Sequence, residues 1–264
     1  MPQNAHLAFE GKKAVITGAS RGIGRSIALA FAEAGADVGI AARTESDLEQ
    51  LVADIQAMGR RCLAVQCDVT NPEQVNHMVT TLLAGLGGVD ILVNNAGSAG
   101  SHKFLDHPDD LWHRMLAANL TSVYYVCKAL IPQFIERRSG RIITIASIAS
   151  RVGGRYMAAY AASKHGVLGL TRALATEMLP YNVTVNAICP GYVNTPMTDN
   201  SIRNISTFTG MSEAQARETL AKTSPQNRLI EPEEIAALAL FLAQESSKGI
   251  TGQAINVDGG GIMS

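Results

Sequence analysis

Lys13-Ala14-Val15-Ile16-Thr17-Gly18-Ala19-Ser20-Arg21-Gly22-Ile23-Gly24 joins a short apolar run to a glycine-rich turn, and Ile23–Ala34 then continues with helical spacing. The glycine spacing is G-x-x-x-G-x-G, a looser relative of the dinucleotide-binding G-x-G-x-x-G. Glycines at such a turn let the chain bend sharply and let its backbone approach a pyrophosphate. The helix that follows offers free N–H groups and a positive dipole end to the same phosphates. Alone, the cluster is also a plain structural turn. Its position between a first strand and a first helix gives it weight.

Outward from that turn the chain alternates strand and helix. Strands are predicted at Lys13–Thr17, Asp37–Ala42, Arg61–Cys67, Val89–Asn94, Arg141–Ala146, Val183–Ile188 and Gln253–Val257. Helices fall at Glu45–Met58, Glu73–Leu86, Pro108–Arg137 with a break near Asn119, Tyr156–Leu179 and Glu231–Ala243. Short apolar strands between amphipathic helices predict an α/β protein, a single Rossmann domain over residues 1–264. Its doubly wound parallel sheet has about seven strands and is flanked by helices. Tyr192–Ser224 breaks the rhythm; it is polar and reads equally as loop or helix. Following the sixth strand, it is expected to be a substrate loop or lid.

Composition excludes several classes. Hydrophobic residues are 47% of the chain and charged residues 17%, which argues against disorder. A net charge of −1 gives no reason to expect nucleic acid or an anionic membrane as partner. Met1–Glu10 lacks the basic and apolar regions of a leader, and no apolar run is long enough to span a bilayer. Cys62, Cys67, Cys127 and Cys189 form no C-x-x-C pair, and the first two point to opposite faces of a strand. They read as reduced packing residues of a cytoplasmic protein.

The second strand bears on cofactor choice. Asp37 lies near the customary distance for an acid that holds the ribose of NAD, but it stands at the start of the strand, away from the cofactor edge. The strand ends Ala41-Ala42-Arg43, with no acid and one arginine. Arg43, with Arg21 in the glycine turn, suits a 2′-phosphate, so NADP(H) is favoured over NAD(H). The other reading of both arginines is solvated surface.

Tyr160 and Lys164 lie four apart in an Ala-rich helical stretch and share one face. Ser147 ends the fifth strand at its carboxyl edge, where ligands gather in such sheets. A phenol is a poor acid–base at neutral pH until a nearby ammonium favours its phenolate. Lys164 is expected to supply that charge, Tyr160 to exchange a proton with a substrate oxygen, and Ser147 to orient that oxygen.

The turn Thr17–Gly24, Asn94-Asn95-Ala96-Gly97, Ser147 followed by Tyr160 and Lys164, and Pro190-Gly191 together resemble the short-chain dehydrogenase/reductase family. The likeness runs from about Gly11 to Gly260. It implies hydride transfer between a nicotinamide cofactor and a ketone/alcohol pair, with Asn119, Ser147, Tyr160 and Lys164 as catalytic residues and no metal. For the cofactor it implies Gly18, Ser20, Arg21, Gly22, Ile23 and Gly24 at the pyrophosphate, Arg43 at the 2′-phosphate, and Asp68 and Val69 beside the adenine. Asn95, Ala96 and Gly97 fall beside the adenosine ribose. Pro190, Gly191, Val193 and Thr195 fall near the nicotinamide, and Tyr160 and Lys164 at its ribose.

The nearest likeness is to 3-oxoacyl-thioester reductases. Such bacterial reductases carry basic residues for a carrier protein on their long helices, where this chain has Pro132 and Thr176. A coenzyme A ester or a free small ketone is therefore expected instead. The resemblance also implies pairing of the two long helices into a homotetramer or homodimer. The alternatives are an NAD-dependent hydroxyacyl or secondary alcohol dehydrogenase, a dehydratase or epimerase on the same scaffold, and a non-catalytic nucleotide sensor. A sensor would need the glycine turn but not all four catalytic residues. His165 faces away from Lys164, His102, His107 and His113 lack zinc spacing, Trp112 reads as packing, and Arg137 and Arg138 as partners of a helix dipole.

Overall fold

The computed structural model describes residues 8–263. Residues 1–7, which hold most of the Met1–Glu10 stretch, and residue 264 lie outside the described residues. Seven parallel strands form one sheet, β1 (Lys13–Thr17), β2 (Asp37–Ala42), β3 (Cys62–Gln66), β4 (Ile91–Asn94), β5 (Gly140–Ile145), β6 (Val183–Pro190) and β7 (Ala254–Val257). Their order across the sheet is β3-β2-β1-β4-β5-β6-β7. The order reverses between β1 and β4, and the crevice beyond their carboxyl ends is where such sheets bind ligands.

Helices cover both faces, as buried apolar strands require. On one face lie α1 (Gly22–Glu33), α2 (Glu45–Ala57) and α9 (Pro232–Ala243), joined by Ile16, Ile27, Phe31, Ile40, Leu51 and Ile235 in one core. On the other lie α3 (Pro72–Leu86), α5 (Ser122–Arg137) and α6 (Ala158–Met178), around Val15, Met78, Leu82, Leu92, Phe134 and Val185. Cys62 joins the first core and Cys67 the second, the opposed faces expected of them. All four cysteines are free and buried. No described helix is long and apolar enough to cross a membrane.

Three departures from the sequence expectation matter for the site. The long helix does not break at Asn119. It runs from α4 (Asp109–Leu116) into α5 through a π turn, Ala117–Thr121, which absorbs one extra residue per turn without ending the helix. β6 continues two residues further than expected, because Cys189 and Pro190 still pair with Asn256 and Val257. The ambiguous segment after it contains α7 (Pro196–Thr209) and α8 (Glu213–Ala221), which pack through Ile202, Ala216 and Leu220. Elsewhere Trp112 is 36% exposed rather than packed away. Arg137 is held by Asp90 at 3.0 Å and the Val89 carbonyl, a more specific role than helix-dipole compensation.

Candidate active site

The glycine turn is built by contacts that tolerate no side chain. Gly18 has φ +64°, and a Cβ there would lie 2.7 Å from the Ala96 Cα. Asn95 staples the turn from the next strand, its Nδ2 donating to the carbonyls of Thr17 at 3.0 Å and Gly18 at 2.9 Å. Thr17 answers by accepting, through Oγ1, from the amides of Asn95 and Ala96. The start of α1 is left open: Arg21 at its N-cap makes no side-chain cap, and no acid occupies the first turn. Uncapped N–H groups and an undiminished positive dipole end suit a phosphate. This cradle fits the pyrophosphate of a dinucleotide.

A second cluster sits beside it. A Cβ on Gly97 would fall 2.8 Å from Asn119 Oδ1 and 3.8 Å from Lys164 Nζ. The π turn aims Asn119 inward, where Oδ1 accepts from the Ser98 amide at 2.8 Å and Nδ2 donates to Ser163 Oγ at 3.1 Å. Lys164 is 6% exposed, and its Nζ donates to the Ile145 carbonyl at 2.9 Å and lies 5.9 Å from the centre of the Tyr160 ring. Ser147 caps the short turn Ile148–Ser150 by accepting from the Ala149 amide, and its hydroxyl stands near enough to the Tyr160 phenol to act on its acidity. So Asn119, Ser147, Tyr160 and Lys164, drawn from two helical segments and a strand end, converge.

The electrostatics differ from expectation. Burial pushes the Tyr160 phenol above its ordinary value, the Ser147 hydroxyl opposes this, and Tyr192 nearby adds to the rise. Burial also lowers Lys164 to about 8. The Lys164 ammonium donates to the Ile145 carbonyl. At neutral pH both groups hold their protons. A buried, protonated phenol beside a hydroxyl can donate a proton to an oxygen acceptor.

A family model described as enoyl-(acyl carrier protein) reductase matches residues 18–261. The chain is 38% identical over 255 residues to a 3-oxoacyl-[acyl-carrier-protein] reductase FabG of Vibrio cholerae, covering 97% of this chain and 99% of that one. This chain belongs to the short-chain dehydrogenase/reductase family. It is likewise 38% identical over 252 residues to a D-beta-hydroxybutyrate dehydrogenase of Rhizobium meliloti, covering 94% and 98%. Among solved structures, an actinorhodin polyketide ketoreductase variant with NADPH superposes with a TM-score of 0.92 at 35% identity, over 95% of this chain and 97% of that one. The protein is thus a ketone/alcohol oxidoreductase of this family.

In this short-chain dehydrogenase/reductase the remaining residues expected at the cofactor stand at or just after the carboxyl ends of β1, β2, β3 and β6. Ser20 and Ile23 flank the open end of α1. Gly22, at φ +56°, faces Thr195, where an added Cβ would lie 3.1 Å from Thr195 Cγ2, so the segment before α7 closes against the glycine turn. Pro190 ends β6, the Gly191 amide donates to the Val257 carbonyl, and buried Val193 pairs with Ile230. Arg43 is exposed at the end of β2 and close enough to Asp68 to favour its carboxylate. Asp68 Oδ1 accepts from the amide and hydroxyl of Thr70, whereas Val69 is buried in the core with its side chain committed to packing. Asp37 accepts from the Arg61 amide at the far end of the sheet. Among the described residues no three His, Cys, Asp or Glu gather into a metal-holding group.

Sequence reasoning missed Ser163, and it placed Thr17 in the turn without foreseeing that its hydroxyl holds Asn95 and Ala96. Ser163, next to Lys164, donates to the Tyr160 carbonyl at 2.7 Å and accepts from Asn119, so it ties the π turn to α6. A hydroxyl in an Ala-rich face was its one visible signal.

Proposed function

We propose that this enzyme is an NADP(H)-dependent ketone reductase whose best-fitting substrates are 3-oxoacyl thioesters, with Tyr160 as general acid. The observation that carries the reading is the convergence of Ser147, Tyr160 and Lys164 around a phenol kept protonated at neutral pH. A protonated phenol at this position can supply the proton that reduction consumes. When bound, the cofactor supplies the hydride.

The chain's own residues do the rest. Gly18, Ser20, Gly22, Ile23 and Gly24 would hold the pyrophosphate, Arg43 and Arg21 the 2′-phosphate, and Asp68 with Asn95–Gly97 the adenosine side. Pro190, Gly191, Val193 and Thr195 would hold the nicotinamide side. Ser147 hydrogen-bonds the substrate oxygen, and Tyr160 delivers the proton to it. Lys164 then restores the proton to Tyr160, with Asn119 shaping the space at Gly97 through which it passes. The four buried thiols suit a reducing cytoplasm.

Replacing Tyr160 with Phe should lower turnover by at least about 10²-fold, the usual scale of general acid–base catalysis, and leave NADPH binding intact. Near-normal turnover would remove Tyr160 from the mechanism. The relative named as a hydroxybutyrate dehydrogenase favours a second reading, the same chemistry run as oxidation of a hydroxyacyl substrate. A screen of 3-oxoacyl-CoA esters and cyclic ketones with NADPH, and of hydroxyacids with NAD, separates the two. No turnover with any of them would favour a sensor.

A further inference from the structure

Four described residues other than glycine have positive φ: Arg138, Tyr156, Asn182 and Asn227. Asparagine tolerates that region, and Arg138 is the left-handed cap that closes α5. Tyr156, at φ +66°, has neither excuse. It is a bulky aromatic, 47% exposed, so packing does not explain why it stands in a disfavoured conformation. Such outliers gather where function holds them.

Its surroundings suggest the function. The segment from Arg151 to Met157 connects the turn after Ser147 to the helix bearing Tyr160, so both its ends are fixed beside residues of the active site. The Tyr156 carbonyl accepts from the His102 amide at 2.8 Å, which ties this segment to the loop that follows Gly97. The Arg155 guanidinium lies 5.4 Å over the Tyr156 ring, with Nη2 3.4 Å from its hydroxyl. Lys103 adjoins His102. Among the described residues neither Arg155 nor Lys103 has a carboxylate partner. Of the acids on the same stretch, Asp109 and Asp110 occupy the first turn of α4, where its dipole holds them, and Asp106 pairs with neither cation. The same two loops expose Val152, Phe104 and Leu105.

We propose that Arg155, Tyr156 and Lys103 form a specificity rim for the phosphate-bearing pantetheine arm of an acyl thioester. The apolar side chains cover the arm and the two unpaired cations meet its phosphate. This rests on the thioester reading above. Tyr156 keeps its disfavoured backbone because that conformation carries the ring and Arg155 out over the entrance.

The test compares acetoacetyl-CoA with the uncharged N-acetylcysteamine thioester of the same acyl group. At low salt the double variant Arg155→Ala/Lys103→Ala should raise KM for the CoA ester at least about tenfold, as lost charge-assisted contacts do, and leave the uncharged thioester and kcat unchanged. The variant Tyr156→Gly should raise KM for the CoA ester without lowering the unfolding midpoint, since glycine accepts this φ freely. An unchanged KM for the CoA ester, or a parallel rise for both esters, overturns the rim. A lowered midpoint with unchanged KM makes Tyr156 a packing residue. Calorimetry with coenzyme A and 4′-phosphopantetheine, without turnover, gives an independent arm. Binding lost in the double variant upholds the rim even if the wild type reduces neither ester, an outcome that would sink the thioester reading alone. Equal affinity for the two ligands assigns recognition to the arm's own phosphate, tighter coenzyme A to its adenosine phosphates as well. Absent or unaltered binding overturns the rim.

Discussion

Asn119 Nδ2 donates to Ser163 Oγ at 3.1 Å, and Ser163 Oγ in turn donates to the Tyr160 carbonyl at 2.7 Å. The π turn and α6 are therefore fastened together one residue before Lys164. Ser163→Ala would leave the buried Asn119 amide with only the weak Met115 sulfur as acceptor, at a cost of about 1–3 kcal/mol. Chemical denaturation should show that loss. Turnover should also fall, and Ser163→Thr should restore part of both. An alanine variant as stable and active as wild type would show that the fastening is incidental.

The lowered Lys164 gives stability a pH signature. Between its folded value near 8 and the ordinary 10.5, the unfolded chain binds more protons than the folded one. Stability from this group therefore rises with pH through that window, and below pH 8 the full penalty, on the order of 3 kcal/mol, stands. Lys164→Met, though nearly inactive, should melt a few degrees above wild type at pH 7, with the gain shrinking to nothing by about pH 10.5. The difference between the two proteins isolates this group from Tyr160 and the cysteines, whose raised values erode stability of both at high pH. A gain independent of pH would assign it to packing instead.

Cofactor choice turns on the end of β2. Arg43 there is exposed and Ala42 supplies no carboxylate. An arginine–phosphate contact of roughly 1.5–3 kcal/mol corresponds to about 10- to 150-fold in affinity. NADP(H) should be preferred, more so at low salt. Ala42→Asp with Arg43→Ala should reverse the ratio of kcat/KM, since it removes attraction and adds repulsion. A wild type that favours NAD(H), or a variant with the same ratio, would mean the pocket lies elsewhere.

Assembly is open to a direct measurement. α5 and α6 leave Tyr124, His165 and Gly169 exposed on faces the sheet does not cover. Pairing of these helices about two-fold axes would bury them. Sedimentation should give two or four times the 27.9 kDa chain mass. A monomer at micromolar concentration would refute the pairing.

What could be read from sequence was what depends on near neighbours. The turn Gly18–Gly24, the four-residue spacing of Tyr160 and Lys164, and the position of Ser147 at a strand end are local patterns. The π turn was not legible beyond an irregularity near Asn119, because the partners that hold Asn119 there, Ser98 and Ser163, are distant in the chain. α7 and α8 stayed ambiguous for another reason: each buries few residues, so neither shows a strong apolar stripe. The state of Tyr160 required three-dimensional burial, which spacing cannot report. The left-handed Tyr156 has no sequence signal at all, since glycine or asparagine would ordinarily mark such a position.

The place of β1 in the sheet has a consequence for the newborn chain. Ala14, Val15 and Ile16 lie at the centre of the finished sheet, against β2 on one side and β4 on the other. They leave the ribosome before every other strand of the sheet. Their β2 edge can close early, but Ile91–Val93 emerge only after α2, β3 and α3 have been made. Until then an apolar strand edge stands open to pairing with other nascent chains, and holdase protection is most needed over that interval of synthesis.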